Sequence, residues 1–582
     1  MIRKIFRQML VTQIVSAMTV MLCMLVDSIM IGRFLGVDSM TAYGLATPVL
    51  LVFAAFGSML SAGIQVMCGK TMGSGDMQAT NACFSVSVAL AAGISFLGVA
   101  IVLLFTDPIC TLLGAGQPDN TVFLLTRDYL RGFIIGAPAF IFAQIMVPFM
   151  QISGNRTRLV VAVAAMTLAD VALDILNVFV VKKGTLGMGL ASSFSYYIAF
   201  FIGVLYFFKK NCMFQFRASL VRGRTGLDLI RYGVPTVVNQ ISLVLLVFVL
   251  NKILLEVGQN LAVAAYSVIS TVGNICYCIG SGVASVALLL SSIFYSDEDR
   301  TELRSLVRTM FFYAVALDLG VIVLVLLAAP ALVSLFLTEA PEAKDMAVLG
   351  LRLFSLSLLP CSLNTAYKNY LQGVNKTGFT QAISVMQNFA FTALFAFLLS
   401  RFLGTTGVWL AFLCGETLTF VIITAAVWKK YGKISFSAEA FSYLPVSFGA
   451  ADADRFEASI ASLSDVVAVS ADAASFCREH GETERSSNLI SLCIEEMTSN
   501  IVEHGFTKDN KEHSVDVRLL FKDGKRLIRI RDNCLNFDPL HYLELHKTDD
   551  PLAHIGIRMV MKTVKSANYV NSLGLNNLTL IL

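Results

Sequence analysis

The hydrophobicity of this chain stops abruptly at Trp428-Lys429-Lys430. Before that point, apolar runs long enough to cross a bilayer follow one another almost without pause; after it come about 150 residues of ordinary soluble sequence. With 56% hydrophobic residues, 14% charged residues and a mean hydropathy of +0.72, the chain is too apolar for a soluble protein of 582 residues. The net charge of +4 carries no nucleic-acid signature. The chain must therefore join a multi-span membrane bundle to a water-soluble module.

The apolar part predicts an all-α polytopic membrane fold. A span needs roughly 20 apolar residues, and by that length the sequence divides into about twelve helices. An even number of spans places both termini on one side of the membrane. Lys and Arg concentrate in the loops of that side, as at Arg3, Arg222 and Lys430. By the positive-inside rule we expect a multi-pass protein of the plasma membrane with both termini in the cytoplasm.

An internal repeat divides the spans into two sets of six. Two dipeptides recur with a shift of 223 residues, and a tripeptide recurs with a shift of 220. The pairs are Ala42-Tyr43 with Ala265-Tyr266, Gly57-Ser58 with Gly280-Ser281, and Asn155-Arg156-Thr157 with Asn375-Lys376-Thr377. Repeats of this kind form two half-bundles that rock about a central cavity. We therefore expect an N-lobe at residues 1–222, a C-lobe at 223–434 and a soluble domain at 435–582.

Four short motifs follow one another in the membrane part. They are Asp27-Ser28-Ile29-Met30-Ile31-Gly32-Arg33-Phe34-Leu35-Gly36, Gln151-Ile152-Ser153-Gly154-Asn155, Asp174-Ile175-Leu176-Asn177 followed by Gly187-Met188-Gly189, and Gly233-Val234-Pro235. In this order and spacing, residues 5–430 resemble the MATE multidrug and toxin extrusion family. The resemblance implies twelve helices in two lobes. It also implies export of cationic or amphipathic organic molecules in exchange for Na+ or H+.

Five carboxylates lie within the apolar runs: Asp27, Asp170, Asp174, Asp318 and Glu416. An ionised carboxylate in a membrane helix costs roughly 3 kcal/mol on insertion scales, so it must pair, bind a cation or take up a proton. Asp170 and Asp174 are four residues apart and share one helix face. We expect them to titrate as a coupled pair that holds one proton or one Na+.

The MATE resemblance assigns some of these acids to a site. It implies that Asp27 and Asp174 belong to the N-lobe cation site and that Asp170 stands where an amide is common. Gln144 and Ser192 stand where further oxygen ligands are expected. The coupling ion, Na+ or H+, is left open. In a simpler alternative, the acids only form hydrogen bonds with the backbone or with Ser, Thr and Asn of neighbouring helices.

One apparent phosphate-binding loop has another interpretation. The segment from Gly63 to Thr71 ends in Gly69-Lys70-Thr71. It has one residue too many between its glycines and follows a membrane helix, whereas a phosphate loop follows a strand. We interpret it as the end of a helix with a cytoplasmic lysine.

The soluble part reads as an α/β module behind a linker at residues 431–450. We expect a strand at 455–460, helices at 464–480 and 486–505, and a hairpin of strands 515–521 and 526–531. On the second helix, Glu496, Asn500 and His504 form a row at four-residue steps beside an apolar stripe. On the last strand, Asp532 shares a face with Ile528 and Ile530, which directs its carboxylate inward.

Residues of about 445–582 resemble the GHKL ATP-binding fold, in particular its anti-sigma-factor kinase branch. The resemblance implies that Glu496 polarises the attacking water or hydroxyl, which makes it the catalytic candidate, and that Asn500 is a ligand of Mg2+. Asp532 matches the adenine-binding aspartate. Gly556 and Ile557 match the second glycine box, where a helix start receives phosphate. ATP and Mg2+ are the implied cofactors.

The resemblance is incomplete. Cys534 and His554 stand where glycines are expected. Whether the domain hydrolyses ATP, phosphorylates a protein or only binds nucleotide is therefore left open.

Three functions fit these observations. The first is a secondary active multidrug exporter driven by Na+ or H+ antiport, with a cytoplasmic nucleotide-binding domain that regulates it through the loops rich in Lys and Arg. The second is a membrane-anchored serine kinase or protein-binding switch whose bundle is a sensor. The third is a flippase for lipid-linked precursors. The expected partners are a small cationic or amphipathic substrate, membrane lipid, a cytoplasmic protein and a second copy of the chain, but no nucleic acid.

Overall fold

The computed structural model describes residues 2–582 except 75, 116, 118–119, 209–211, 335, 337–340, 446–447, 451, 507–512, 523 and 547–554. His554, singled out above, lies outside the described residues. The first eight helices are α1 Ile2–Met30, α2 Val37–Gly73, α3 Met77–Leu104, α4 Thr106–Leu112, α5 Thr121–Ile134, α6 Ala137–Ile152, α7 Arg156–Leu176 and α8 Gly184–Phe207. The next six are α9 Gly223–Ser296, α10 Arg300–Ser334, α11 Pro341–Gly373, α12 Thr377–Val385, α13 Phe391–Leu403 and α14 Thr405–Tyr431. Short π-helical turns extend α1 and α7 and join α12 to α13.

The helices confirm the polytopic all-α class. Among the described residues, ten helical segments are long and apolar enough to span a membrane, and the pair α5–α6, bent by 47°, forms an eleventh unit. The long helix α9 contains two of these segments, which meet at Gln259, where the backbone φ is 52°. In addition, α1 is a 29-residue helix that packs against α7 and α9. These units correspond to the roughly twelve helices predicted.

The two lobes pack closely at one end of the bundle, the end from which the chain enters the C-terminal domain. Three glycines of α2 have no room for a side chain against α9. A Cβ on Gly63 would lie 2.3 Å from Leu229 O, and a Cβ on Gly69 would lie 1.8 Å from Ser292 Oγ. A Cβ on Gly73 would lie 2.3 Å from Ile293 O. Ser292 Oγ also donates to Gln65 O at 2.8 Å. We call this contact between α2 and α9 the seam. The apparent phosphate-binding loop is therefore a helix end, as interpreted, and its glycines allow the lobes to meet.

The C-terminal domain is an α/β sandwich. Its elements are α15 Ala438–Ser442, β1 Arg455–Ile460, α16 Leu463–Glu479, α17 Glu484–Gly505, β2 Val515–Lys522, β3 Lys525–Asp532, α18 Pro539–Leu545, α19 Ile555–Thr563, β4 Ser566–Ser572 and β5 Leu575–Ile581. The strands form an antiparallel sheet in the order β1-β2-β3-β5-β4. Helices α16, α17 and α19 cover one face with buried side chains such as Ile490, Ile494 and Val560. The predicted β1, the hairpin and both long helices are confirmed.

The segment expected to be a linker packs against the C-lobe, so it is not a free connection. It contains the short helix α15, whose Phe441 is 3% exposed. The Phe441 ring lies 5.5 Å from that of Phe311 on α10. Tyr370 donates its hydroxyl to Ser442 O at 2.8 Å, and Arg300 pairs with Glu439 at 2.7 Å. Phe441 was overlooked because the aromatic residues scattered through 431–450 follow no helical or strand period.

Candidate functional site

Three carboxylates meet in the interior of the N-lobe. Asp27 of α1 and Asp170 and Asp174 of α7 are 9%, 4% and 0% exposed. Asp27 interacts electrostatically with both of the other acids. Within the described part of the chain, Asp27 Oδ1, Asp170 Oδ1 and both oxygens of Asp174 have no hydrogen-bond donor. Because carboxylates only accept hydrogen bonds when ionised, such a group requires protons or a cation.

The two further ligands expected from the sequence have other contacts. Gln144 packs over α2, where a Cβ on Gly57 would lie 2.8 Å from its amide carbon. Ser192 is buried on α8 and donates to Met188 O at 3.4 Å. The hydroxyl beside Asp170 belongs to Ser195. Ser195 lies three residues after Ser192 on the same helix face, and this spacing was the signal that could have identified it.

The Asp-Ile-Leu-Asn motif fixes the end of α7 that carries Asp174. Asn177 donates its amide to Gly184 O at 3.0 Å and accepts from Lys183 N at 3.2 Å. A Cβ on Gly187 would lie 1.8 Å from the Asn177 side-chain oxygen. Asn177 thus closes the connection to α8, and Gly187 leaves room for it. Asp174 lies three residues before Asn177, at the hydrogen-bonded end of α7.

A second polar cluster lies in the C-lobe. Asn364 donates to Glu416 Oε2 at 2.9 Å, and Gln387 donates to Glu416 Oε1 at 3.4 Å. Lys368 Nζ donates to Gln387 Oε1 at 3.2 Å and to Asn239 Oδ1 at 2.5 Å. Glu416 is therefore hydrogen-bonded in the way that the simpler alternative expects. Lys368 was overlooked because it is a single lysine near the end of an apolar run and belongs to no spacing pattern.

Asp318 of α10 borders that cluster, because Tyr277 and Cys361 interact electrostatically with both Asp318 and Glu416. It is 1% exposed, and its Oδ2 has no hydrogen-bond donor among the described residues. Its hydrogen-bonding neighbour is Ser362 of α11. The sequence therefore identified a buried acid here but not its surroundings.

In the C-terminal domain, Glu496 of α17 lies directly against the start of α19. A Cβ on Gly556 would lie 1.9 Å from Glu496 Oε2, so a side chain at this position would displace the Glu496 carboxylate. Asn500, one turn later on α17, donates its amide to Glu496 O at 2.6 Å. Gly556 and Ile557 occupy the first turn of α19, where helix geometry leaves backbone N–H groups without intrahelical acceptors. The Ile557 side chain is 5% exposed, so the backbone is the part of this residue that can contact a ligand.

Asp532 ends β3 as a buried carboxylate. It is 4% exposed and accepts from Cys534 N at 2.9 Å and from Asn576 Nδ2 at 2.8 Å. Burial raises the pKa of Asp532, and these two hydrogen bonds act in the opposite direction. Asn576 of β5 was overlooked. Its signal was an Asn-Asn pair, Asn576-Asn577, at the start of an otherwise apolar strand.

The opposite face of the sheet carries arginines that contact the membrane bundle. Arg529 and Arg531 of β3 pair with Asp297, in the loop between α9 and α10, at 3.0 and 3.3 Å. Arg518 of β2 pairs with Asp299 of the same loop and with Glu302 at the start of α10. The expected contact through Lys-rich and Arg-rich loops of the bundle therefore has the reverse polarity here. At this face the bundle supplies the acids and the domain supplies the arginines, whereas at α15 Arg300 of the bundle pairs with Glu439 of the domain.

Similarity to known proteins agrees with this architecture. The MatE family model matches residues 13–176 and again 235–398, and the model described as a histidine kinase-like ATPase domain matches residues 460–582. The two MatE matches confirm the internal repeat. Multidrug export protein MepA of Staphylococcus aureus (strain bovine RF122 / ET3-1) is 22% identical over 65% of this chain and 83% of its own length. MepA of Staphylococcus haemolyticus is 22% identical over 65% of this chain and 82% of its own length.

Solved structures show the same fold. The Vibrio cholerae MATE transporter VcmN, solved as a mutant, superposes with a TM-score of 0.69 at 19% identity over 73% of this chain and 96% of VcmN. A MOP superfamily transporter from Pyrococcus furiosus gives a TM-score of 0.67 at 19% identity, over 72% of this chain and 94% of that transporter. The chain therefore belongs to the MATE family, and its transporter bundle is followed by a histidine kinase-like ATPase domain.

Proposed function

We propose that this protein is a secondary active exporter of cationic or amphipathic organic molecules, driven by exchange for H+ or Na+. The group of three carboxylates in the N-lobe carries the proposal. Asp27, Asp170 and Asp174 are buried, adjacent and short of donors among the described residues. The relatives named multidrug export protein supply the substrate class.

The mechanism follows from the electrostatics of that group. Three negative charges in a site of low dielectric constant repel one another, so binding of a proton or Na+ lowers their energy. An organic cation that enters the lobe competes for the same charge. Exchange between the two cations couples export to the ion gradient. Ser195, beside Asp170, and the predicted ligands Gln144 and Ser192 would supply neutral oxygens.

The orientation completes this part of the proposal. The end of the bundle that carries the seam and the C-terminal domain is proposed to face the cytoplasm of a plasma membrane. The Lys and Arg bias of its loops supports this assignment. Substrate then enters when the seam opens and leaves on the opposite side when it is closed.

The C-terminal domain is proposed to bind ATP with Mg2+ and to regulate the carrier. Asp532 would accept a hydrogen bond from the adenine amino group, and the first turn of α19 would hold phosphate at Gly556 and Ile557. Asn500 would be a Mg2+ ligand, and Glu496, which touches the Gly556 backbone, would orient a water or hydroxyl. The metal ion would neutralise phosphate charge when bound. Cys534 stands where the resemblance expects a glycine. Its Sγ lies 3.0 Å from the position that a Cβ on Gly505 would take.

A liposome experiment tests the exporter. Purified protein is reconstituted with a fluorescent organic cation, and an H+ or a Na+ gradient is imposed separately. Gradient-dependent dye movement with one ion identifies the coupling ion. If neither gradient moves any of a panel of cationic dyes while counterflow assays show no exchange, the exporter proposal is wrong.

A further inference from the structure

The turn between β4 and β5 has an unfavourable sequence for its shape. Leu573 and Gly574 both have positive φ, 60° and 78°. Two-residue hairpin turns of this kind favour Asn-Gly, because a residue with a branched, bulky side chain is strained at positive φ. Strain of this kind persists where the surrounding structure compensates for it, often at functional positions. Leu573 therefore needs a contact that Asn would not make.

The membrane bundle provides that contact. Leu573 is 6% exposed and belongs to the same apolar cluster as Ile152 at the end of α6. Its backbone N–H donates to Ile152 O at 2.7 Å. A Cβ on Gly154 would lie 2.8 Å from Gly574 N, so the two glycine turns touch. The hairpin tip of the domain is thus inserted against the N-lobe.

The same sheet holds the C-lobe by its arginine face. Asp297 pairs with Arg529 and Arg531, and all three side chains are at most 18% exposed. The linker helix α15 adds a further attachment to the C-lobe through Glu439 and Phe441. One domain therefore contacts both lobes at the end where the seam is closed. If the lobes separate at this end, the domain must lose its contact with one of them. The contact with the N-lobe, through the turn Leu573-Gly574, is smaller than the contact with the C-lobe.

The nucleotide site adjoins this turn in sequence and in space. Asn576, which donates to Asp532, is two residues beyond Gly574. Its neighbour Asn577 accepts from Arg531 Nε at 2.5 Å on the other face of the sheet. In the β3–β5 ladder, Asp532 is paired with Asn576 and Arg531 with Asn577. Five consecutive residues, 573–577, thus join the N-lobe contact, the predicted adenine site and the C-lobe ion pairs.

We propose that the turn Leu573-Gly574 is a latch that holds the two lobes together at the seam, and that nucleotide at Asp532 controls it. The second half of this statement rests on the nucleotide binding proposed above. Occupation of the Asp532 pocket changes the contacts of Asn576, and Asn576 positions the first residues of β5. The latch then engages or releases Ile152, while the ion pairs at Asp297 keep the domain on the C-lobe.

The Leu573 amide reports directly on the latch, because its hydrogen bond to Ile152 O protects it from exchange. Hydrogen–deuterium exchange of the full chain in lipid nanodiscs is measured for segments 566–575 and 150–157, with and without Mg-ATP. Leu573→Asn keeps a residue suited to positive φ but removes the apolar contact. Val467→Asn, at a 61% exposed position of α16, is the matched control. Direct ATP binding to each variant is measured in parallel.

The latch predicts roughly tenfold faster exchange in both segments for Leu573→Asn, with Val467→Asn like wild type. Mg-ATP is expected to change the same two segments in wild type and to leave Asp532→Asn unaffected. If Leu573→Asn exchanges and transports like wild type, the latch is wrong. If ATP binds but neither segment responds, its control by nucleotide is wrong. If ATP does not bind while Leu573→Asn still releases both segments, the latch stands and the nucleotide part of the proposed function fails.

Discussion

Arg531 and Asp532 are consecutive residues of β3 whose side chains leave the sheet on opposite faces. Arg531 pairs with Asp297 of the membrane bundle at 3.3 Å, and Asp532 accepts from Asn576 at 2.8 Å inside the domain. Alternation along a strand makes this arrangement possible, since successive side chains point to opposite faces. The strand therefore joins the predicted nucleotide pocket to the carrier without an intervening element.

Replacement of Asp532 tests the adenine site. Asp532→Asn removes the carboxylate acceptor and is expected to weaken ATP binding by about 10- to 100-fold, equivalent to about 1–3 kcal/mol for an unmatched buried polar group. The measurement is titration with a fluorescent ATP analogue. Asp472→Asn, on the exposed face of α16, is the control. Equal affinity in both variants would contradict the assignment.

The same variant makes a prediction about stability. Burial raises the pKa of Asp532 above its ordinary value of 3.8. The stability that Asp532 contributes is therefore fully present below the unfolded-state pKa and is lost as the pH rises through the raised folded-state pKa. At neutral pH, Asp532→Asn should then be at least as stable as wild type, and this advantage should disappear toward pH 4. Native-state hydrogen exchange of β3 amides, corrected for intrinsic rates, measures the difference in stability between the variant and wild type. A wild type that gains stability relative to the variant as pH rises would contradict it.

The Asp297 ion pairs are expected to attach the domain to the bundle. Asp297→Asn leaves Arg529 and Arg531 without their shared carboxylate, at a cost of about 2–5 kcal/mol for a largely desolvated pair. The expected result is faster proteolysis of segment 432–454 in the intact protein. Asp107→Asn, an exposed acid of α4, is the control. Protection equal to wild type would show that other contacts hold the domain.

Asp27 should be required for coupled transport. Asp27→Asn keeps the size of the side chain but removes a charge from the group of three, and we expect at least a tenfold loss of gradient-driven dye efflux. Asp107→Asn again serves as the control for loss of an acid. Efflux in reconstituted liposomes is the measurement. Full activity of Asp27→Asn would place the coupling site elsewhere.

The seam predicts that a single methyl group impairs closure. Gly69→Ala would place a Cβ 1.8 Å from Ser292 Oγ, whereas a Cβ on Gly93 of α3 has no atom within 4 Å. We expect Gly69→Ala to lose most of its transport because the lobes cannot close, and Gly93→Ala to remain near wild type. Efflux rates of the two variants, at matched levels of folded protein, test this. Similar rates would contradict the packing role of Gly69.

Glu496 should separate nucleotide hydrolysis from nucleotide binding. Glu496→Ala removes the group that would orient the attacking water, so any ATPase or kinase activity of the full chain should fall by about 100-fold or more while ATP binding persists. Glu495→Ala, one residue earlier and exposed, is the control. Equal activity in both variants would remove Glu496 from the chemistry.

Much of the fold could be predicted because its signals are local. Apolar runs of bilayer length predicted the spans, and the alternation of Ile528, Ile530 and Asp532 predicted a strand with an inward carboxylate, which the 4% exposure of Asp532 confirms. The two strands β4 and β5 were missed. Their residues 566–582 mix Asn with apolar side chains, and their regularity depends on pairing with β3.

The sequence by itself determined the membrane class and the internal repeat, and it predicted a module boundary near Trp428 and the residue types of the two proposed sites, since each follows from periodicity, length or spacing along the chain. Only the tertiary structure decided that Ser195 adjoins Asp170, that Arg531 meets Asp297, and that Leu573 contacts Ile152. The last two pairs are 234 and 421 residues apart. Contacts at such separation depend on the packing of whole helices and sheets, which no local pattern records.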